Sequence, residues 1–296
     1  MAIRPATSDD VDSMVDVAAA SRFAHQAWEP ELWASLSSEV GLQPVLMRAH
    51  LASGRSVSLV SESHGEVDGW IRARPTVDRR SWVVDELAVT DARHWHTTGR
   101  ALLVAIAGRA RGAGAGGLHL ATPRADVARV VMLEESGLAP VAAVRHRVIG
   151  NRPEQPPKGV RALVEADIAE VDLLLDGSPR VAESLGAGPD DGGDQHGLVV
   201  DDGVGVGAVA IVRSTDRRAT PVVGGRAVAV AEPMSVGAVD DWTTTGDRLL
   251  EGVEWLAARR GVRHVLVPCA LGDSEKERAL DLRSYGWPLD VWCLRW

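Results

Sequence analysis

A repeated nine-residue segment constrains the fold of this chain more than any other feature. Residues 95–103 read Trp-His-Thr-Thr-Gly-Arg-Ala-Leu-Leu, and residues 242–250 read Trp-Thr-Thr-Thr-Gly-Asp-Arg-Leu-Leu. Each segment lies between a strand-like apolar run and a helical run that ends at glycine. The register extends to further pairs: Gly114 with Gly261, 118–120 with 265–267 and, after a shift of two residues, 137–138 with 286–287. This pattern predicts two copies of one α/β domain.

Length and composition agree with two globular domains. The chain has 296 residues, of which 45% are hydrophobic and 25% charged, as in ordinary proteins with a packed core. The stretch Asn-Arg-Pro-Glu-Gln-Pro-Pro-Lys at 151–158 has the composition of a linker. We therefore expect a first domain over 1–150, a linker over 151–159 and a second domain over 160–296.

The charge is unevenly divided between the two halves. Residues 1–150 hold 16 arginines and 17 acidic residues, whereas the rest of the chain holds 16 basic and 24 acidic residues. The net charge of −9 and the absence of a basic tract argue against general nucleic-acid binding. The nearly neutral first half is the better host for an anionic ligand.

Cysteine content and the N-terminus indicate the compartment. Cys269 and Cys293 are too few for a disulfide framework and have no metal-ligand spacing, so we expect buried core residues and no metal. The segment Met1–Pro5 lacks a signal-peptide apolar stretch, and no run approaches the roughly 20 apolar residues that span a bilayer. We expect a cytoplasmic protein that does not bind membranes.

Apolar periodicity and turn residues predict the same order of elements in both halves. The predicted strands of the first half are 3–6, 56–61, 67–74, 82–90, 118–122 and 141–149, and its helices follow Ser8 and cover 31–51, 99–111 and 126–135. In the second half, strands are predicted at 160–164, 198–200, 206–212, 227–231, 262–268 and 289–294, with helices around 168–174, up to Arg260 and up to Ser284.

The segments Asp85–Thr90, Gly99–Leu103 and Glu134–Leu138, in this order of elements, resemble the GNAT acyltransferase superfamily. The resemblance covers both halves, as in two-copy members with the layout of mycothiol synthase. It implies an α/β (α+β) fold of two tandem GNAT-like domains. Each domain would hold a mixed, mostly antiparallel sheet flanked by helices.

The resemblance also implies a donor site. In the family, the fourth strand diverges from the fifth, and its freed backbone groups hold the pantetheine arm of an acyl thioester. Here these groups belong to Leu87, Ala88 and Val89. The pyrophosphate would lie on the next turn, where a helix begins. The turn residues implied as donor-binding are His94, Thr97, Thr98, Gly99 and Arg100.

The turn departs from the family pattern of Arg or Gln, two residues, Gly, one residue, then Gly or Ala. Only the last glycine remains, as Gly99 and as Gly246. Threonine is poorly suited to the positive φ that glycine adopts easily. Two donors therefore stay open: acetyl-CoA or another acyl-CoA, or a phosphopantetheine thioester on an acyl carrier protein, which has no pyrophosphate.

The first copy is the better donor site. It keeps Arg93, His94, His96 and Arg100 around the turn, whereas the second copy carries Asp240 and Asp241, which would repel an anion. The second half is therefore interpreted as a degenerate copy that serves packing or acceptor binding.

The first copy offers three catalytic candidates, of which the resemblance implies Glu86. Glu86 is the candidate base, and strand alternation predicts that only one of Asp85 and Glu86 faces the cleft. His96 is a second base candidate. Many family members protonate the leaving thiolate with a tyrosine four residues before the helix-ending glycine. Leu133 and Leu282 stand there, so Ser136 is the candidate substitute, and Glu232 takes the place of Glu86 in the second copy.

The resemblance implies that the early helices cover the acceptor, so the aromatic residues there predict an acceptor pocket with His25, Trp28 and Trp33 as its wall. The predicted function is N-acyl transfer to an amine of a small molecule, of which secondary metabolites are one class. The alternative is a non-catalytic thioester-binding or scaffold protein, because both turns are eroded and the tyrosine is missing from both copies.

Overall fold

The computed structural model describes residues 1–28, 30–33, 43–76, 79–150, 155–175, 195–201, 205–214, 228–237 and 242–296. The predicted order of strands and helices is confirmed within these residues, except that residues 34–42 of the predicted helix 31–51 lie outside them. The elements of the first half are β1 (Ala2–Pro5), α1 (Val11–Trp28), α2 (Pro30–Trp33), α3 (Gln43–Ser53), β2 (Val57–Ser63), β3 (Glu66–Pro75), β4 (Trp82–Val89), α4 (Arg100–Gly112), β5 (Gly117–Pro123), α5 (Val127–Glu135) and β6 (Ala139–Val148).

The second half repeats this order, and part of the predicted linker, residues 151–154, lies outside the described residues. Its elements are β7 (Val160–Ala162), α6 (Ile168–Leu175), β8 (Gln195–Asp201), β9 (Val206–Ser214), β10 (Val228–Val236), α7 (Asp247–Arg259), β11 (His264–Ala270), α8 (Ser274–Leu282) and β12 (Gly286–Arg295). None of the helices within the described residues is long and apolar enough to cross a bilayer.

The first compact unit contains Met1–Val141 and Leu289–Trp296. Its strands follow the order β1-β2-β3-β4-β5-β12, and all neighbours are antiparallel except β4 and β5. Adjacent strand residues face opposite sides of this sheet. Leu59, Ile71 and Leu87 pack with α4 and α5 on one side, and Val60, Trp70 and Ala88 pack with α1 and α3 on the other.

The second compact unit contains the described residues from 142 to 214 and from 228 to 288. Its strands follow the order β6-β11-β10-β9-β8-β7, again with one parallel pair, β10 and β11. Leu249 and Val253 of α7 and Leu280 of α8 are buried in its main core. Val171 of α6 packs against Val199 and Val209 on the other face.

Each unit takes its last strand from the other half of the chain. Strand β12 pairs with β5 along its length, and β6 pairs with β11. Trp292 of β12 is therefore buried in the core of the first unit, and Ile149, just after β6, in that of the second. The predicted repeat boundary near residue 150 and the compact units therefore do not coincide.

From β4 and β10 to the end of each copy the register of the repeat is gap-free, so the predicted shift of two residues before Gly286 is wrong. The spacing that relates Trp95 to Trp242 also relates Gly137 to Ser284, and both residues end their helices with positive φ, 81° and 61°. The amides that follow close the same bond, Leu138 to Leu133 and Tyr285 to Leu280. A serine in a conformation that favours glycine conceals this match. The counterpart of Leu133 is therefore Leu280, not Leu282.

Candidate active site

The site begins at an opening between two parallel strands of the first unit. The ladder between β4 and β5 joins Trp82 to Leu118 and ends at the pair Val84–Leu120. Beyond this point β4 stays paired with β3 as far as Val89, while β5 runs on to Pro123. The backbone of residues 85–89 therefore has one edge free of the β5 ladder, as the resemblance implied for Leu87, Ala88 and Val89. Of these three, Leu87 and Ala88 line the cavity described next.

A β-bulge at Asp85 shapes the start of the opening. Val84 lies opposite Ala73 and Glu86 lies opposite Arg72, so Asp85 is the extra residue on β4. A bulge interrupts the strict alternation of side chains. Asp85 and Glu86 consequently both line the same cavity, and the prediction that only one of them faces the cleft is wrong.

The cavity at this opening encloses about 390 Å³, open solvent at its mouth included. Strand β4 supplies the carboxylate of Glu86, and α1 supplies Arg22, whose Nη2 lies 3.5 Å from Oε1 of Glu86. Both side chains are largely buried. Its lining residues come from α1, α2, β4, β5 and α5: Ala18, Ser21, Arg22, His25, Trp33, Asp85, Glu86, Leu87, Ala88, Ala121, Pro123 and Arg129.

Two of the three predicted acceptor residues line this cavity. His25 and Trp33 are both buried, with ring centroids 4.7 Å apart. Trp28 contacts the His25 ring at 5.5 Å but is 40% exposed and lies outside the described lining. Burial lowers the pKa of His25, although Asp126, 3.6 Å from its Nε2, opposes that shift. The His25 ring is therefore neutral at pH 7.

Arg129 of α5 forms part of the cavity wall, although the sequence did not predict it as a site residue. Its guanidinium lies 5.2 Å from the centroid of the Trp95 ring, and its Nη2 donates to the carbonyl of Ala121 at 3.4 Å. Burial lowers the pKa of Arg129 to about 10, so the group stays protonated at pH 7. Arg129 thus places a fixed positive charge at the β5 side of the opening.

A sequence signal existed for Arg22 but not for Arg129. Ala18, Arg22 and His25 follow one another at helical spacing on α1, so the predicted role of His25 pointed to the same face. Arg129 stands three residues after Asp126, whose carboxylate accepts a hydrogen bond from the Arg129 amide. That spacing indicates a helix start and carries no information about a site.

Four backbone amides of the turn after β4 form hydrogen bonds within the turn. The Asp91 carboxylate accepts from the amide of Arg93 at 2.9 Å and forms an ion pair with the Arg93 guanidinium at 2.7 Å. The amide of His94 donates to the Asp91 carbonyl, that of Trp95 to the Ala92 carbonyl, and that of Arg100 to carbonyls within the turn. These four amides are therefore not available to cradle a phosphate.

The glycine that survives in each turn packs against a tryptophan. Trp95 and Trp242 are buried, and each lies over the glycine four residues later. A cation also lies over each ring: Arg129 over Trp95 at 5.2 Å, and Lys276 over Trp242 at 5.5 Å. The repeated segment thus builds the same Trp–Gly–cation unit in both halves, and this shared packing accounts for the tryptophan and glycine that the two copies have in common.

The remaining candidates lie away from the lining residues described above. His96 is exposed and pairs with Glu135, with 3.1 Å between Nδ1 and Oε2. Ser136 donates to the Met132 carbonyl at the end of α5 at 2.7 Å. Thr98 is buried and donates to Asp68. The other turn residues make local contacts or are exposed: His94 to Thr90, Thr97 to the carbonyl of His94, and exposed Arg100.

The second unit has the same strand opening without the same carboxylate. The ladder between β10 and β11 ends at the pair Val230–Leu266, and β10 carries a bulge. The pairs flanking the two bulges correspond: Ala73–Val84 with Val212–Ala231, and Ile71–Leu87 with Ala210–Met234. Pro233, not Glu232, therefore stands at the position of Glu86, which corrects the predicted equivalence.

Tyr285 belongs to a buried network of the second unit. Its hydroxyl donates to Oε1 of Glu254 at 3.2 Å, and Arg147 and Arg283 donate to the same oxygen at 2.8 and 3.3 Å. Glu254 is fully buried. The described residues contain no group of three or more His, Cys, Asp or Glu side chains that could hold a metal ion.

No protein-family model matches the sequence, and the search of curated proteins gives no match. Solved structures match over nearly the whole chain at low identity. A tandem GNAT protein from the clavulanic acid biosynthesis pathway is 17% identical, with a TM-score of 0.53, and 99% of this chain covers 98% of that one. The finer likeness to mycothiol synthase stays a prediction.

Two further structures agree. A GCN5-related N-acetyltransferase from Sphaerobacter thermophilus is 16% identical with a TM-score of 0.60, covering 99% of this chain and 95% of the other. A putative acetyltransferase from Pyrococcus horikoshii is 14% identical with a TM-score of 0.56, covering 100% and 89%. Together with the two strand openings, these similarities show that the chain has the tandem fold of the GNAT acetyltransferases.

Proposed function

We propose that this protein is an N-acyltransferase that moves an acyl group from a pantetheine thioester to an amine of a small molecule. The observation that carries the proposal is the cavity at the β4–β5 opening, which Glu86 lines from the bulged strand. Even with the open solvent at its mouth counted, the cavity encloses only about 390 Å³. A metabolite-sized acceptor therefore fits the cavity better than a macromolecule.

The chemistry needs an attacking amine, a proton acceptor and a leaving thiolate. The amine nitrogen attacks the thioester carbonyl carbon, a C–N bond forms and the C–S bond breaks. Glu86 takes the proton that the nitrogen loses, and the departing thiolate takes a proton from solvent. A thiol with an ordinary pKa of about 8.5 leaves without a dedicated acid, which suits a chain with leucine at the position of the family's tyrosine.

The donor groove fits a pantetheine arm better than a pyrophosphate. The free edge of β4 over residues 85–89 offers backbone groups to the arm. The turn offers fewer amides to a pyrophosphate, because the Asp91 carboxylate lies at its start and the amides of residues 93, 94, 95 and 100 bond internally. We therefore propose that the arm supplies most of the donor affinity, whether acetyl-CoA or a carrier-protein thioester delivers it.

Acetyl-CoA is the first donor to test, since the tandem GNAT protein of the clavulanic acid pathway is described in a form without AcCoA. Acetyl-CoA and acetyl-pantetheine are compared with a panel of small amines, using wild-type protein, Glu86→Gln and the exposed control Glu66→Gln. We expect kcat/KM for the two donors to agree within about tenfold. Glu86→Gln should lower kcat by about a hundredfold, the typical contribution of a general base, with donor affinity by calorimetry unchanged.

Wild-type turnover in Glu86→Gln would remove Glu86 from the role of base. If kcat/KM for acetyl-pantetheine were far more than tenfold below that for acetyl-CoA, the turn would bind the pyrophosphate after all. Glu66→Gln should behave as wild type in every assay.

A non-catalytic thioester-binding protein is the second candidate. The internally bonded turn and the leucines at the tyrosine positions favour it. It predicts donor binding in calorimetry with no acyl transfer to any amine of the panel, and transfer to any one of them excludes it.

A further inference from the structure

We propose that the cavity beside Glu86 selects acceptors that carry a carboxylate next to the reacting amine, and that Arg22 recognises this carboxylate. The inference rests on the proposed function and names the substrate class of the same site. It assigns α- and β-amino acids, rather than simple amines, as the acceptors.

The carboxylates around the cavity already face arginines or His25. Two arginines line it, Arg22 and Arg129, together with the carboxylates of Asp85 and Glu86. Asp85 is already paired with two arginines outside the lining, Arg72 at 3.7 Å and Arg74 at 3.2 Å.

Asp126, the remaining carboxylate nearby, faces His25 and caps α5. Asp126 and Glu86 also attract the charge of Arg129. Among the described residues Arg22 contacts Glu86 through Nη2, so the rest of its guanidinium fork is open to an anionic group on the ligand.

Polar atoms without partners lie in the same wall. The Nε atoms of Arg22 and Arg129 and the Nδ1 atom of His25 are buried and find no hydrogen-bond partner among the described residues. His25 and Arg129 are each only 5% exposed. Buried polar groups in folded proteins nearly always have partners, and a cluster of exceptions marks a place where a polar ligand completes them.

The geometry places the anion beside the amine. Nη2 of Arg22 lies 3.5 Å from Oε1 of Glu86, so a group bound to the guanidinium and a group bound to the carboxylate belong to neighbouring atoms of one small ligand. An amino group at Glu86 and a carboxylate on the planar fork of Arg22 meet this condition. Trp33 and Leu87 supply apolar walls for a side chain.

The test compares amines that differ only in the carboxylate. Acyl transfer and binding are measured for L-alanine against ethylamine, L-leucine against isoamylamine and β-alanine against ethylamine. Phosphoethanolamine is included as an amine that carries a phosphate in place of the carboxylate. The proteins are wild type, Arg22→Gln, Arg22→Lys and the control Arg48→Gln, which alters an exposed arginine outside the lining. Thermal unfolding verifies that each variant is folded.

We expect wild type to prefer the amino acids by at least tenfold in kcat/KM. Arg22→Gln should abolish the preference, so that kcat/KM for each amino acid falls to that of its matched simple amine, mainly through a higher KM for the amino acid. Arg22→Lys should retain part of the preference because the charge remains, and Arg48→Gln should match wild type.

Acylation of simple amines as fast as amino acids, or a preference that survives in Arg22→Gln, overturns the inference while leaving acyl transfer in place. Preference for phosphoethanolamine over the amino acids overturns the carboxylate assignment. If no amine is acylated, calorimetry with the amino acids alone decides: binding that depends on Arg22 supports the inference without catalysis, and absence of binding overturns it.

Discussion

A Cβ atom built on Gly99 would lie 2.6 Å from Cε3 of Trp95, and one on Gly246 would lie 2.4 Å from Cε3 of Trp242. Both rings are buried, so they have little room to retreat. Gly99 has φ −59°, which any residue adopts, and its need for glycine is therefore steric rather than conformational. At this scale the repeat preserves a close approach between a ring and a helix.

We predict that Gly99→Ala destabilises the protein by about 1–3 kcal/mol, the usual cost of overpacking a core. Gly108→Ala is the matched control in the same helix, because a Cβ there meets nothing within 4 Å. It should stabilise the protein by about 0.5–1 kcal/mol through helix propensity. Urea unfolding measures both, and equal stability of the two variants would contradict the packing role of Gly99.

The sequence predicted some site residues and left others out for definite reasons. Glu86 and His25 were predicted, and the structure brings both to one cavity. Arg129 reaches the site only because its side chain lies over the Trp95 ring, a tertiary contact that no spacing encodes. His96 and Ser136 were candidates because of their residue types and their places near the turn and the end of α5, yet their side chains bond to Glu135 and Met132 instead.

At the scale of elements, periodicity predicted nearly every strand and helix, because most have one buried face. The bulge in β4 could not be predicted, since the alternation of Asp85 and Glu86 reads as an ordinary strand. That single extra residue decides which carboxylates share the cavity. The local sequence pattern therefore predicts the strands and helices. The bulge, which this pattern does not reveal, brings both carboxylates to the site.

The strand pair β6–β11 contains a buried histidine pair that makes the second unit sensitive to acid. Nε2 of His146 lies 3.1 Å from Nδ1 of His264, and the rings are stacked at 5.4 Å. Burial, with a smaller contribution from the charge of His264, lowers the pKa of His146 to about 4. Between pH 6.5 and 4 the unfolded chain therefore binds a proton at this position that the folded chain does not.

The free energy of unfolding should accordingly fall as the pH drops through this window, and level off below pH 4. From pH 7.5 to pH 5.0 the expected loss is about 2 kcal/mol from this group alone. His146→Gln should reduce the loss, whereas His64→Asn, at an exposed turn position, should retain it. Urea unfolding at both pH values measures the difference. An equal pH dependence in wild type and His146→Gln would show that the pair does not titrate as inferred.

At the scale of the whole molecule, each half of the sequence contains the six strands of one copy, but neither half alone supplies all the strands of one compact unit. The last strand of each copy belongs to the sheet of the other unit. Sequence could not predict this exchange, because β6 and β12 occupy equivalent positions in the repeat and either could pair with β5. The alternation of a strand specifies its buried face but not which of two similar sheets receives it.

We therefore predict that residues 1–150 and 159–296, expressed as separate fragments, do not fold on their own. The first fragment would leave the edge of β5 uncovered and lose Trp292 from its core, and the second would leave β11 uncovered. Loss of one buried tryptophan costs on the order of 3–5 kcal/mol, a large part of the stability of a domain. An exposed edge strand also favours aggregation.

Co-expression should rescue both fragments, because together they supply every strand of both units. The expected result is insoluble or molten fragments when each is expressed alone, and a soluble one-to-one complex when an affinity tag on one is used to recover both. A chain cut by a protease at a site inserted between 151 and 158 is the matched control, and its halves should stay together through size-exclusion chromatography. Separate fragments that unfold cooperatively in urea, each as a monomer, would show that the exchanged strands are not required.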